Sequence, residues 1–214
     1  MSHQLKTDFD LSYWLYLPQS YAEKRDWPLI LFLHGSGERG NEPELVKKYG
    51  LAFWIDREEN FPFVVVSPQC PAEVRWIDLV EKLDTLLDHI LHTYAIARSR
   101  VYLTGLSMGG QGAWCLAAHH PERFAAVVPI CGRIFPDYET KLCALKNVPV
   151  WVFHGEQDKA VWVKNSHQMV DLLRACGGNV RLTIFPDADH FCWDRVYTNP
   201  DFYAFFGSDW QSFS

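Results

Sequence analysis

Short, continuous apolar runs alternate with segments of helical periodicity along most of the chain, and this alternation limits the folds open to it. The apolar runs have the length of strands buried on both faces and cover residues 28–33, 63–67, 101–104, 126–130, 148–154 and 180–185. Between them, Ile77 to Tyr94 repeats apolar residues at three- and four-residue spacing, which is typical of an amphipathic helix. Further helices are predicted over 111–119 and 163–176, the last one ended by Gly177 and Gly178. Strands that alternate with helices predict a mostly parallel central sheet with helices on both faces.

The N-terminal part predicts one further strand. Leu11 to Leu17 is rich in leucine and aromatic residues and is followed by Pro18, a pattern that favours an edge strand. No stretch rich in Pro, Gly and Ser divides the 214 residues, and a chain of this length has the size of one domain. We therefore expect residues 1–214 to form a single α/β domain.

Composition and charge exclude several classes of protein. The chain is 48% hydrophobic and 21% charged, which supplies enough apolar surface for a core and excludes intrinsic disorder. The net charge is −6 and no cluster of Lys and Arg forms a stripe, so nucleic acid is not an expected partner. No apolar run reaches the ~18–20 residues of a membrane helix, and residues 1–10 lack the pattern of a signal peptide. We expect no membrane association and a cytoplasmic location.

The six cysteines include no CxxC pair and no Cys/His spacing typical of a metal site, so no metal site is expected. Several lie within apolar segments, as Cys115 does between Trp114 and Leu116, where cysteine behaves as a small buried hydrophobic residue. We expect reduced, structural thiols, and the sequence leaves one disulfide open.

Gly105 to Gly109 reads Gly-Leu-Ser-Met-Gly and matches the pattern G-x-S-x-G between a predicted strand and a predicted helix. A nucleophile on a tight strand-to-helix turn takes a strained backbone, and the flanking glycines relieve the crowding. The turn brings Ser107 to the N-terminus of the next helix, where free N–H groups and the helix dipole stabilise a developing oxyanion. Ser107 is therefore the predicted nucleophile.

A serine nucleophile needs a base and an orienting acid, and after a strand-turn serine the acid precedes the histidine. Asp158 lies just after the run 148–154, and His190 follows the last predicted strand. Loops that follow parallel strands meet at one edge of the sheet, the edge that also carries Ser107. We predict Ser107, Asp158 and His190 as a catalytic triad. Three acidic residues remain as rivals to Asp158, namely Glu156, Asp187 and Asp189.

An oxyanion hole needs two N–H donors, and Met108 is predicted to supply one of them. The second comes from the loop after an earlier strand, which is the glycine-rich segment 34–37. The N–H of Ser36 is the predicted donor, with Gly37 as the second choice. His34 is expected only to support this loop. Glu38 and Arg39 are the next two residues, and two interpretations stay open for them: an exposed pair, or a pair that holds the loop in place. The structural role is favoured.

Several aromatic residues lie near the motif loops. Trp162 and Phe191 closely follow the predicted acid and base and are the predicted substrate-binding residues. Trp114 is expected to pack the helix after the nucleophile onto the sheet. No long insertion lies between Val127 and Val148, where many lipases and esterases build a lid, so we expect an open site without a large lid domain.

Five motifs together resemble the α/β-hydrolases, and more narrowly the esterases related to dienelactone hydrolases, phospholipase/carboxylesterase-type enzymes and prolyl-oligopeptidase-like peptidases. These motifs are His34 to Gly40, Ser67 to Pro71, Gly105 to Gly110, His154 to Asp158 and Asp189-His190. The resemblance runs from about Leu29 to the C-terminus. It implies the eight-stranded hydrolase sheet and a Ser107–His190–Asp158 triad, which needs no metal or organic cofactor. The small esterases commonly carry Asp, Val and Pro around the acid loop, where this chain has Lys159 to Trp162.

The resulting expectation is a serine carboxylesterase that cleaves small or extended esters through an acyl-enzyme. A small-molecule ester is the expected partner. A prolyl-oligopeptidase-like peptidase, an acyltransferase with the same triad and a catalytically silent binding module stay open as alternatives. The aromatic-rich segment 197–206 fits either a homodimer contact or the packing of a C-terminal helix onto the core.

Overall fold

A central sheet of eight strands organises the chain in a computed structural model that describes residues 3–58 and 61–208. The strands are β1 (His3–Lys6), β2 (Tyr13–Tyr16), β3 (Trp27–Leu33), β4 (Val64–Pro68), β5 (Ile96–Leu106), β6 (Ala126–Ile130), β7 (Val150–Gly155) and β8 (Val180–Phe185). Their order across the sheet is β1-β2-β4-β3-β5-β6-β7-β8. The strand β2 pairs antiparallel with β1 and β4, and the remaining pairs are parallel. The predicted, mostly parallel sheet is therefore confirmed.

Helices cover both faces of this sheet. They are α1 (Gly50–Ile55), α2 (Val80–Thr93), α3 (Met108–His119), α4 (Tyr138–Lys141), α5 (Lys164–Ala175), α6 (Trp193–Tyr197) and α7 (Pro200–Phe205). Leu29 and Leu31 of β3 belong to a core that includes residues of α2, α3 and α5. Ile30 and Phe32 belong to a second core with residues of α1, α6 and α7. Alternate residues of a strand point to opposite faces, so a fully apolar run such as β3 is buried on both sides.

The helix after Ser107 begins earlier than predicted, at Met108 rather than at residue 111. The sequence does not predict this first turn because it contains Gly109 and Gly110, and glycine is unfavourable in the interior of a helix. The structure requires glycine here, since a Cβ at Gly109 would overlap the carbonyl oxygen of Leu33. Trp114 on the same helix is fully buried in the core with β3 and α2, as predicted.

The prediction of an edge strand at residues 11–17 is wrong in one respect. The strand β2 is real, but β1 pairs outside it, with His3 opposite Tyr16 and Lys6 opposite Tyr13. The residues of β1 are only half-buried or exposed, so their sequence lacks the apolar pattern that marks a strand. Backbone pairing along the free side of β2 is what makes this segment extended.

The aromatic-rich C-terminal segment packs inside the chain. Tyr197, Phe202, Tyr203 and Phe206 are buried in the second core. This packing accounts for the aromatic content of the segment without a second chain. Within the described residues, no helix combines the length and the apolar character needed to cross a bilayer.

Two of the six cysteines form a disulfide, which corrects the expectation of uniformly reduced thiols. It joins Cys143, between β6 and β7, to Cys176 at the end of α5, and the Cα atoms are 5.4 Å apart, within the normal range. The other four cysteines are free and buried. Structural disulfides are rare in the cytosol, so this disulfide does not favour the predicted cytoplasmic location. That location stays a prediction.

We expect four of the six thiols to react with a thiol reagent in denaturant without reductant, and all six after reduction. The double variant Cys143→Ser, Cys176→Ser should lose about 2–4 kcal/mol of unfolding free energy, because the bond no longer restricts the unfolded chain. Urea unfolding measures this loss. Reductant should lower the midpoint of the wild type and leave that of the double variant unchanged. Six reactive thiols before reduction would contradict the disulfide.

Candidate active site

Ser107 lies on the turn between β5 and α3 and has a strained backbone, with φ of 55° and ψ of −113°. Positive φ is uncommon for residues other than glycine and clusters at functional sites. The turn is held from both sides, because the Ser107 N–H donates to the Ile130 carbonyl at 2.9 Å and its own carbonyl accepts from Gln111 at 3.0 Å. This geometry is that of a nucleophile turn.

The structure brings the three predicted triad residues together. His190 Nε2 lies 2.9 Å from Ser107 Oγ, and His190 Nδ1 lies 2.6 Å from Asp158 Oδ2. The side chain of Asp158 is fully buried, and its Oδ1 accepts from the N–H groups of Ala160 and Val161, each at 2.8 Å. The three residues follow the C-terminal ends of β5, β7 and β8, so parallel pairing carries them to one edge of the sheet.

Within the described residues, His190 Nδ1 forms its hydrogen bond with Asp158 and not with any of the three rival acids. Asp187 forms a two-bond ion pair with Arg195, at 2.7 and 2.8 Å, and those hydrogen bonds lower the pKa of Asp187 to about 2. Asp189 accepts from the N–H of Phe191 at 2.9 Å, and Glu156 is exposed. The hydrogen bond to His190 therefore selects Asp158 among the acids considered.

A second histidine, for which no role was predicted, contacts Asp158. His154 Nε2 lies 3.1 Å from Asp158 Oδ2 and 2.8 Å from the Val161 carbonyl oxygen, while Nδ1 lies 2.7 Å from Ser166 Oγ. Burial lowers the pKa of His154. The sequence contains one signal that could have identified His154. It lies four residues before Asp158, near the end of the buried strand β7 that Asp158 follows.

The loop after β3 brings backbone amides close to Ser107. Ser36 and Met108 both line a cavity beside Ser107. Neither of their N–H groups donates to an acceptor in the described residues. This arrangement leaves two donors available to a ligand oxygen, which is what the predicted oxyanion hole requires.

His34 holds this loop in place through hydrogen bonds of its ring and its backbone carbonyl. Its Nε2 accepts from the Cys70 N–H at 3.0 Å, its Nδ1 lies 2.6 Å from the Gly35 carbonyl oxygen, and its own carbonyl accepts from Trp76 Nε1 at 2.9 Å. These partners require the neutral ring with the proton on Nδ1. Burial, the largest influence, lowers the pKa of His34 to about 4.

The two residues that follow the loop support it, in agreement with the favoured interpretation. Glu38 is buried, and burial raises the pKa of its carboxyl group. Arg39 donates through Nε to the Ser36 carbonyl at 3.1 Å and through Nη1 to the Ala72 carbonyl at 2.9 Å. Arg39 thus ties the loop carrying Ser36 to the segment after β4.

Among the described residues, one group could offer three metal ligands, with the relevant atoms of Cys131, Asp158 and His190 all within 4.8 Å of one another. Two of these ligands are already joined by the 2.6 Å hydrogen bond between Asp158 and His190. Burial raises the pKa of the Cys131 thiol, which disfavours the thiolate that binds metals. The hydrogen-bonded triad explains this cluster better than a metal site does.

Two cavities of different chemistry meet at Ser107. One has a volume of about 280 Å³ and is lined in part by Lys48, Tyr49, His190, Phe191 and Trp193. The other has a volume of about 130 Å³ and is lined by Ser36, Arg39, Arg75, Ser107, Met108, Gln111, Arg133 and Val161. We refer to them as the aromatic pocket and the arginine cavity.

The two predicted substrate-binding residues differ in position. Phe191 is 62% exposed and lines the aromatic pocket. Trp162 is 70% exposed and lies outside the linings of both cavities. Trp193 is buried and also lines the aromatic pocket, and its ring centroid lies 5.7 Å from that of His190.

The arginine cavity concentrates positive charge in a protein with a net charge of −6. Arg39, Arg75 and Arg133 form no ion pair with any carboxylate in the described parts of the chain. Arg133 donates only a long hydrogen bond, 3.4 Å, to the Ala160 carbonyl. Unpaired guanidinium groups beside the nucleophile can bind an anionic ligand group.

Comparison with known proteins agrees with this architecture. A solved thermostable esterase is 31% identical and superposes with a TM-score of 0.86 over 96% of this chain and 62% of that chain. A ferulic acid esterase is 18% identical with a TM-score of 0.73, over 96% of this chain and 97% of that chain, which supports the fold alone. The chain has the α/β-hydrolase fold.

The family follows from a sequence model. The model described as "Dienelactone hydrolase family" matches residues 73–197, more than half of the chain, and the chain belongs to that family. A bifunctional acetylxylan esterase/xylanase of Neocallimastix patriciarum is 28% identical over 149 residues, which cover 67% of this chain and 21% of that protein. The chain thus spans about a fifth of the length of this curated relative.

The buried state of His34 generates a pH dependence of stability. Its pKa falls from 6.5 to about 4 on folding, so the unfolded chain binds the proton more readily. Its contribution is complete above about pH 6.5 and is lost as the pH falls towards 4, by at most about 3 kcal/mol. We expect His34→Gln to reduce the fall in unfolding free energy between pH 7 and pH 4.5, measured by urea unfolding. The exposed His92→Gln is the control, and equal slopes for both variants would contradict the assignment.

Proposed function

We propose that this protein is a serine carboxylesterase in which Ser107 is the nucleophile, His190 the base and Asp158 the orienting acid. The observation that carries the proposal is the continuous hydrogen-bonded chain from Ser107 Oγ through His190 to Asp158, starting on a strained strand-to-helix turn. Membership of the dienelactone hydrolase family and similarity to a thermostable esterase support it.

In the proposed mechanism, His190 Nε2 takes the proton of Ser107 Oγ as that oxygen attacks the ester carbonyl. Asp158 holds the His190 proton on Nδ1 and stabilises the imidazolium that forms. The N–H groups of Ser36 and Met108 donate to the oxyanion of the tetrahedral intermediate. His190 then protonates the departing alcohol, and a water molecule that it deprotonates releases the acid from Ser107.

The alternatives receive less support. A catalytically silent module need not retain a complete triad, whereas here all three side chains are within hydrogen-bonding distance. A peptidase or an acyltransferase would use the same residues, so these differ from an esterase only in the molecules they bind. An ester is the simplest substrate because its alcohol leaves more readily than an amine.

We expect Ser107→Ala to abolish hydrolysis of p-nitrophenyl acetate and butyrate, lowering kcat by at least about a thousandfold because the acyl-enzyme can no longer form. Labelling by a fluorophosphonate should be lost in the same variant. Asp187→Asn, which changes an acid outside the triad, is the control and should keep its activity. Equal rates for the wild type and Ser107→Ala would overturn the esterase proposal.

We further propose that the acyl group of the substrate carries a negative charge. The departing oxygen takes its proton from His190, and His190 lines the aromatic pocket but not the arginine cavity. The alcohol side is therefore expected in the aromatic pocket, with the acyl side directed towards the three unpaired arginines. A carboxylate or another small anion on the acyl chain fits a polar cavity of about 130 Å³.

Mono-p-nitrophenyl succinate and p-nitrophenyl butyrate have acyl chains of equal length and differ in charge. We expect kcat/KM to favour the succinate ester by about 10- to 100-fold, the range of one or two charge-assisted hydrogen bonds. Arg133→Gln should remove most of this preference and leave the butyrate rate nearly unchanged. Arg98→Gln, at the opposite end of β5, is the matched control.

A second pair of esters tests the direction of binding. An anion on the alcohol side, as in 3-carboxyphenyl acetate compared with phenyl acetate, should bring no comparable gain. A larger gain there would reverse the assignment of the two sides. Absence of any preference for the anionic esters would reject the charged-substrate proposal while leaving the triad untouched.

A further inference from the structure

Asp158 is shared between two histidines. The same oxygen, Oδ2, lies 2.6 Å from His190 Nδ1 and 3.1 Å from His154 Nε2. The side chains of His154 and Asp158 are both completely buried, and neither residue lines either of the cavities at Ser107. His154 therefore acts on the reaction only through Asp158.

The hydrogen-bond partners of His154 determine where its proton lies. Nε2 is 2.8 Å from the Val161 carbonyl oxygen, which can only accept, so Nε2 carries a hydrogen shared between that carbonyl and Asp158. Burial lowers the pKa of His154 and keeps the ring neutral. Nδ1 then accepts from the hydroxyl group of Ser166 at 2.7 Å, itself buried on α5. The ring is thus held in one tautomer.

With His154, the Asp158 carboxylate has four donors. The N–H groups of Ala160 and Val161 donate to Oδ1, while His190 and His154 donate to Oδ2. Each donor takes part of the negative charge and restricts rotation of the carboxylate about its Cβ–Cγ bond. Removing one donor from Oδ2 leaves more of the charge facing His190.

We propose that His154, held by Ser166, is a positioning residue that orients Asp158 and lowers the charge that Oδ2 presents to His190. The inference rests on the proposed function, since it concerns the base of the same triad. His154 thereby sets the proton affinity of His190, and with it the pH above which Ser107 can be deprotonated.

Within the described residues, the titratable groups around Asp158 are His190 after β8, His154 on β7 and the thiol of Cys131 after β6. Burial raises the pKa of the Cys131 thiol, and the neighbouring thiol of Cys192 raises it further. Cys131 thus stays neutral across the range in which histidines titrate. Glu38, whose carboxyl pKa is raised by burial, and Lys48 line the aromatic pocket together with His190 and are the same in the wild type and in the variants. A difference in the acid limb between the wild type and a variant at His154 therefore reports on His190.

The experiment compares His154→Phe, which keeps a ring but has no donor, with His154→Gln, which retains an N–H donor. The rate of Ser107 labelling by a fluorophosphonate is measured from pH 5 to pH 9. We expect the midpoint of the acid limb to rise by about 0.5–1 unit in His154→Phe and to remain near the wild-type value in His154→Gln. With an ester substrate, kcat should fall and KM should change little. His167→Phe, an exposed neighbour on α5, is the matched control.

A proton NMR spectrum provides a readout that does not depend on activity. The far-downfield signal of the His190–Asp158 hydrogen bond should move in His154→Phe. It should move less, in the same direction, in Ser166→Ala, because the loss of that hydroxyl donor makes the His154 N–H a weaker donor. If His154→Phe fails to fold, Ser166→Ala decides the matter by the same signal.

An unchanged pH profile and an unchanged NMR signal in a folded His154→Phe would overturn the inference, as would an unchanged signal in Ser166→Ala when His154→Phe does not fold. A purely structural role would lower the thermal midpoint alone. Failure of the proposed function has a different signature, since the wild type would then hydrolyse no ester and take up no fluorophosphonate. The NMR signal reports on the contact between His154 and Asp158 in either case.

Discussion

The close approach of helix α3 to strand β3 is the constraint on which the rest of the site depends. Gly109 allows it, because any side chain there would overlap the backbone of Leu33. The contact leaves Ser107 on a turn too tight for an ordinary backbone, and its φ of 55° is maintained by the hydrogen bond from its N–H to Ile130. The same contact brings the N–H of Met108 close to the loop that follows β3. The strained turn at Ser107 and the position of the Met108 N–H, which the proposed mechanism uses, are therefore consequences of one packing arrangement.

Around this turn the molecule builds a site with two unlike sides. The aromatic pocket is lined by Tyr49, Phe191 and Trp193, whereas the arginine cavity collects three guanidinium groups without carboxylate partners among the described residues. In a protein with an excess of acidic residues, three arginines without carboxylate partners beside Ser107 leave guanidinium donors available to an anionic ligand. The polarity of the site thus carries information about the substrate that the triad alone lacks, since the triad is common to esterases, peptidases and acyltransferases.

The three residues of the proposed triad could be predicted from the sequence because each is marked locally. Ser107 has its glycine-rich turn, and Asp158 and His190 each follow a strand or apolar run that periodicity identifies. Prediction failed where the determining partner is distant in the chain. Strand β1 has no apolar pattern and is extended because β2 offers it a pairing edge. The disulfide pairs Cys143 with Cys176 across 33 residues, and no spacing rule identifies that pair among six cysteines. The first turn of α3 was not predicted because it contains glycines, whose helix propensity is low. The packing that requires glycine there involves Leu33, which is distant in the sequence.

The sequence by itself determined the alternation of strands and helices, the nucleophile turn and the chain order of the proposed triad, because periodicity and turn chemistry act between near neighbours. Only the tertiary structure decided which acid meets His190, since Asp158, Glu156, Asp187 and Asp189 all lie on loops at the same edge of the sheet. It also decided that His154 and Ser166 stand behind Asp158 and that three arginines from separate segments converge on one cavity. These are contacts between segments far apart in sequence, and their distances are set by how the sheet twists and how the helices pack upon it.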